Sequence, residues 1–146
     1  MFMENKKILC LFLFFFACKE KNIEQCNLGD TPMGNYVFFI GFNDKIGKIT
    51  FESLSSKNRS FSYQNPNLEY NGVKEFRLKI NTTTIDILQK DCVIIIDDSL
   101  KFKISGVKVN KVQRSTMWNK KLFCELNEYK LNDSLIENHN GISVYR

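Results

Sequence analysis

A single histidine limits the chemistry open to this chain. His139 is the only imidazole in 146 residues, so no histidine pair exists to hold zinc, and any histidine general base must be this one. It stands between Asn138 and Asn140, just before Gly141, a composition that reads as a solvated turn. The Gly-x-Ser-x-Gly elbow that presents a serine nucleophile is missing, as are GxGxxG and P-loop patterns. Asp97-Asp98-Ser99 offers oxygens to Ca²⁺, but a calcium loop needs several at fixed spacing, and the same residues between two apolar runs make a turn. Paired carboxylates for glycoside chemistry need only meet in space. Glu75 and Asp86 occupy outward positions by alternation and read as surface. The expectation is a non-enzymatic chain with no metal site and no cofactor.

The N-terminus carries a stronger signal. Lys6 and Lys7 precede the apolar run Ile8–Ala17 (ILCLFLFFFA), the charged start and short apolar middle of a secretory signal peptide. Ten helical residues span about 15 Å, half of a bilayer's hydrocarbon core, which is too short for a permanent transmembrane helix. Ala17 is the only alanine of the chain and stands directly before Cys18, where a signal peptidase requires a small residue. Phe14-Phe15-Phe16-Ala17-Cys18 resembles the lipobox of bacterial lipoproteins, with Phe15 in place of the usual Leu. The resemblance implies cleavage after Ala17, a diacylglyceryl group on Cys18 and further acylation of its amine. Two or more acyl chains anchor stably, since each buried CH₂ adds about 0.8 kcal/mol. Lys19 where an Asp would signal inner-membrane retention implies the outer membrane, facing the periplasm or the cell surface. An ordinary secreted protein cut near Ala17 is the alternative.

Cleavage would remove Cys10, and lipid would occupy Cys18, leaving Cys26, Cys92 and Cys124 in a compartment where disulfides persist. Cys92 and Cys124 lie in apolar segments and Cys26 in a polar leader, so a Cys92–Cys124 bridge is expected, with two buried free thiols as the alternative. By loop entropy such a bridge adds about 3–4 kcal/mol.

The net charge of +5 falls to +4 without Lys6, Lys7 and Glu4. For an exported protein that does not argue for nucleic acid, and none is expected as a partner. Lys74, Arg77, Lys79, Lys101, Lys103 and Lys108 recur on or beside the polar positions of successive predicted strands. If those strands pair, they make a basic face able to meet an acidic protein or anionic lipid. Seventeen Lys, sixteen Asn and fourteen Ile against one Ala suggest an AT-rich genome, which favours the plainer reading of a solvated Lys-rich sheet.

The elements that must position these residues are strands. Residues 18–33 are polar, contain Gly29-Asp30 and Pro32, and read as a lipidated N-terminus and flexible tether; 34–146 then form one β domain, after a signal peptide over 1–17. Asn35–Ile40 and Ile46–Leu54 are expected to pair as a hairpin. Val73–Ile80 alternates cleanly, and Thr83–Leu88 follows as a β-branched strand. Cys92–Ile96 is apolar on both faces and reads as central, with Asp97-Asp98-Ser99 turning into Leu100–Ile104 and a bulge at Ser105-Gly106. Residues 117–129 fit helix or strand spacing and read as strand beside strand neighbours. Tyr129–Ile136 and Ile142–Tyr145 read as a closing hairpin. The expected fold is mainly β: a single antiparallel β-sandwich or small barrel of about eight to ten short strands.

Anchor, tether, single domain and missing catalytic set together point to a protein-binding module captured at the envelope. Immunity proteins and lysozyme-inhibiting lipoproteins share this general build by analogy of architecture alone. A structural or assembly lipoprotein of the cell envelope is the alternative.

Overall fold

In the computed structural model the described residues are 25–42, 45–57, 59–70, 72, 74–115, 117–137 and 140–146. The expected signal segment 1–17, the expected lipid-attachment residue Cys18, the first part of the expected tether and His139 lie outside them.

Ten strands build two sheets among the described residues, as a mainly β sandwich requires. The smaller sheet runs β10 (Ile142–Tyr145), β1 (Tyr36–Ile40), β5 (Glu75–Lys79), β4 (Leu68–Tyr70). The larger runs β3 (Ser60–Gln64), β2 (Lys48–Ser53), β6 (Cys92–Ile96), β7 (Leu100–Ser115), β8 (Lys120–Leu131), β9 (Ser134–Glu137). Alternation explains the packing. Val37 and Phe39 of β1, Ile49 and Phe51 of β2, Ile94 and Ile96 of β6 and Phe102 and Ile104 of β7 all enter one shared core.

Several expectations hold. β6 is an interior strand, paired with β2 and β7. Asp97 and Asp98, with φ of 49° and 56°, are the left-handed central pair of its three-residue turn into β7, which the Ser99 N–H closes by donating to the Ile96 carbonyl. Residues 120–131 are strand, not helix. The irregularity at Ser105-Gly106 is real: β7 gains a residue between Ser105 and Lys108, and β8 gains one just beyond, so the register is restored.

Four expectations are corrected. Thr82–Leu88 is an α-helix, α1, not a strand. Asn81 caps it by accepting from the Thr84 N–H at 2.9 Å, and Thr84, Ile87 and Leu88 form its buried stripe. That i, i+3, i+4 spacing and the cap outweigh the β-branched composition. Second, β1 and β2 are not a hairpin but belong to different sheets, because the link between them buries Phe42 and Ile46 in the core and crosses the sandwich. Third, the closing hairpin is β8–β9, turned at Asn132-Asp133. β10 instead joins β1 as a parallel neighbour, so the smaller sheet is not purely antiparallel. Fourth, the tether does not extend to residue 33. Leu28 is fully buried in a short 3₁₀ turn (Leu28–Asp30), and Thr31 is buried beside it, so the leader is docked on the domain from about Cys26 onward.

Candidate functional site

The sandwich has two unlike ends. At one end the β6–β7 turn, the residues before β2 and the link from β3 to β4 meet. Asp97 accepts from the Gly47 and Lys48 N–H groups at 2.9 and 2.8 Å, and Asp98 pairs with Lys48 Nζ at 2.9 Å. These carboxylates therefore fasten the turn to β2, the structural use expected of them. Beside this clasp a cleft of about 490 Å³ opens under the β3–β4 link, with Ile46, Pro66, Leu68 and Phe76 as its apolar lining and Lys45 and Asn67 among its polar groups. Its size falls within the range of small ligand pockets. Tyr70, two-thirds exposed on the edge strand β4, stacks edge-on against Phe76.

At the other end β7 and β8 outrun their neighbours. β6 pairs with β7 only as far as Ile104, and β9 pairs with β8 only from Glu128 onward. From Val109–Leu126 to Ser115–Lys120 the two strands pair only with each other, as a projecting ribbon. A two-stranded ribbon is marginal alone, and here three devices support it. Arg114 reaches Glu125 and Lys108 reaches Glu128 across the strands. A disulfide joins Cys124 to Cys26, with Cα atoms 5.5 Å apart.

That bridge corrects the expected Cys92–Cys124 pairing. Cys92 is a fully buried free thiol facing the core from β6. Cys124 lies beyond the end of β6, opposite Lys111 of β7, where the docked leader is the neighbour that reaches it. Burial, with Asp91 adding to it, pushes the Cys92 thiol up to about 12, so it is an inert packing residue.

The six cations expected on one face are divided. Lys74, Arg77 and Lys79 belong to the smaller sheet and its approach, whereas Lys101, Lys103 and Lys108 lie on β7 of the larger sheet. Alternation turns each group outward but does not say which sheet a strand joins, and α1 carries the chain from one sheet to the other. Arg77 is held by Glu69 at 2.7 Å and lies over the Tyr36 ring. Lys103 pairs with Asp133 and Lys108 with Glu128. No continuous basic patch results.

Asp86 pairs with Arg59 at 3.3 Å on the surface of α1, remote in topology from Glu75 of β5. Among the described residues no three His, Cys, Asp or Glu side chains converge as a metal requires, and no helix is long and apolar enough to cross a membrane.

Two features escape sequence reasoning. The cleft is built from two links and the strands β4 and β5, and leaves no local pattern. The ribbon tip does leave one. Trp118, the only tryptophan, follows Met117 between two strands, yet the pair are 89% and 93% exposed. A lone tryptophan in a turn, with Arg114 before it and Lys120-Lys121 after it, is the signal. Comparison with known protein families, curated proteins and solved structures returns no match to this chain.

Proposed function

We propose that this chain is a lipid-anchored protein of the bacterial envelope whose β domain is a non-catalytic protein-binding module, of the kind that neutralises a toxin or inhibits a hydrolase. The lipid at Cys18 holds it to the membrane, in the outer-membrane position that Lys19 suggests. The observation that carries the reading is the cleft at the end of the sandwich away from the leader. The chain enters the domain beside the ribbon, through Cys26 and Cys124, so an anchor at Cys18 leaves the opposite end free to meet a partner. The cleft combines apolar Ile46, Pro66, Leu68 and Phe76 with polar Lys45, Asn65 and Asn67, the mixture of apolar and polar groups that a protein interface uses, and Tyr70 beside it is a residue type enriched in such contacts.

The test is photo-crosslinking on intact cells from a probe placed at Asn67, in the cleft, compared with one at Lys101, on the outer face of β7. Capture of one defined protein from Asn67 but not from Lys101 supports the module. Recovery of only lipid or neighbouring copies from Asn67 contradicts it. A deletion that weakens the envelope with no partner captured would favour the assembly role instead.

A further inference from the structure

We propose that the tip of the β7–β8 ribbon is a second membrane contact, which seats the domain on the anionic bilayer that holds its lipid; this rests on the anchor reading at Cys18. Three observations carry it.

The first is the tip itself. Met117 and Trp118 are 93% and 89% exposed on a chain whose other large apolar residues mostly fill a core. Leu122 and Phe123 continue the apolar surface on opposite faces of the ribbon, about half and two-fifths exposed. Tryptophan is the side chain that best tolerates the boundary between headgroups and acyl chains, with an apolar body and one N–H donor.

The second is charge. Between Val109 and Asn127 the ribbon carries Lys111, Arg114, Lys120 and Lys121 against the single acid Glu125. Arg114 is the residue that takes up Glu125; Lys120 and Lys121, next to the tip, make no ion pair among the described residues. Each cation close to an anionic bilayer strengthens attachment about fivefold. Apolar tip and flanking cations together match an anionic lipid surface.

The third is reach. The bridge at Cys26–Cys124 ties the leader to the ribbon. Cys26 lies eight positions after Cys18, a span of at most about 28 Å. Cys124 lies six positions after Trp118, about 20 Å along a strand. A lipid on Cys18 and the side chain of Trp118 can therefore reach the same bilayer plane. Two-point seating would fix the posture of the domain and turn the cleft away from the membrane, where one flexible attachment could not.

Trp118 is its own probe, since the chain has no other tryptophan. The full mature protein is isolated in detergent and reconstituted into vesicles of phosphatidylethanolamine with phosphatidylglycerol, and separately into phosphatidylcholine vesicles. In the anionic vesicles Trp118 emission should shift to the blue and be quenched by lipids brominated on their acyl chains, with both effects weaker in phosphatidylcholine. Lys120→Gln with Lys121→Gln should weaken the tip's partition equilibrium about 25-fold. Emission that stays water-like and unquenched on anionic vesicles overturns the proposal. Emission shielded in native envelope membranes but not on pure lipid assigns the tip to a protein and also overturns it. The mass of the N-terminal peptide reads the lipid at Cys18 separately. If that lipid is missing, the anchor reading fails, while the same vesicles added to the soluble chain still decide whether the tip binds lipid.

Discussion

The phenol oxygen of Tyr129 makes two hydrogen bonds to the backbone of Ser143, accepting from its N–H at 2.9 Å and donating to its carbonyl at 3.1 Å. Tyr129 belongs to β8 of the larger sheet, and Ser143 to β10, the edge of the smaller one. β10 pairs in parallel with β1, and in such a ladder alternate residues direct both backbone groups away from the neighbour. Ser143 is one of these, and it is buried, so water cannot take the place of a strand. One side chain thus satisfies an edge and ties the two sheets together.

Tyr129→Phe should therefore cost far more than a deleted hydroxyl on a surface. It removes no apolar volume but leaves a buried N–H and C=O without partners, a loss of about 2–4 kcal/mol. Urea unfolding measures it directly. A shift below about 0.5 kcal/mol would mean that another group takes over both bonds.

The same residue predicts an alkaline limit on stability. Burial pushes the Tyr129 phenol up to about 12 from an ordinary 10, with Tyr145 adding to the rise and the bonds to Ser143 opposing it. The Cys92 thiol rises likewise to about 12 from 9. Both groups are held neutral by the fold, so the unfolded chain ionises first. Stability from this source is fully present below pH 9 and is lost as pH climbs toward 12. The expected loss is on the order of a few kcal/mol, and Cys92→Ala should delay its onset to about pH 10. Urea midpoints measured across that range, in wild type and variant, give the answer. A flat profile in wild type would contradict the account.

The disulfide makes a prediction that separates two pairings cleanly. With Cys26 and Cys124 joined across 98 residues of sequence, a mature chain acylated at Cys18 as proposed would hold one free thiol, Cys92. It should be silent to a thiol reagent when folded and appear as a single thiol when unfolded without reductant. Cys26→Ser should lower stability by up to about 4–5 kcal/mol on the loop-entropy model. It should also free the Cys124 thiol for labelling in the folded protein. Three thiols in the unfolded, unreduced chain would disprove the bridge.

What sequence reveals here follows the physics of each signal. Period-two alternation in β2, β5 and β7 is local, because a half-buried strand must show one apolar and one polar face, and those strands are where they were expected. The Asp97-Asp98 turn and the Ser105-Gly106 bulge are local too. Partnership is not local. Nothing within Ile142–Tyr145 says that it pairs with Tyr36–Ile40, more than a hundred residues earlier, and the six separated cations fail as one face for the same reason. Thr82–Leu88 misleads because β-branched residues favour strand, while its cap at Asn81 and the buried stripe of Thr84, Ile87 and Leu88 matter more. Cys26 reads as part of a loose leader because polar composition hides one fully buried residue, Leu28, that docks it. The cleft, assembled from residues 45–46, 65–68 and 76, has no counterpart in the linear pattern.

That docking gives a last prediction, resting on Gly34. A Cβ built there would lie 1.6 Å from the Leu28 carbonyl oxygen and 2.6 Å from Thr31 Oγ1. Both belong to the turn that brings the leader back onto the domain, where the Thr31 hydroxyl bonds the same Leu28 carbonyl at 2.8 Å. Neither atom is the loose end of a flexible side chain, so Gly34→Ala must open the turn and lift Leu28 from the core. The expected cost is about 1–3 kcal/mol, with faster hydrogen exchange and earlier proteolytic cutting over residues 27–33. Gly29→Ala is the matched control, because its Cβ would meet only Ile85 at an ordinary 3.5 Å. It should leave the leader protected. Equal effects from the two substitutions would show that the leader is held by the disulfide alone, and not by the turn.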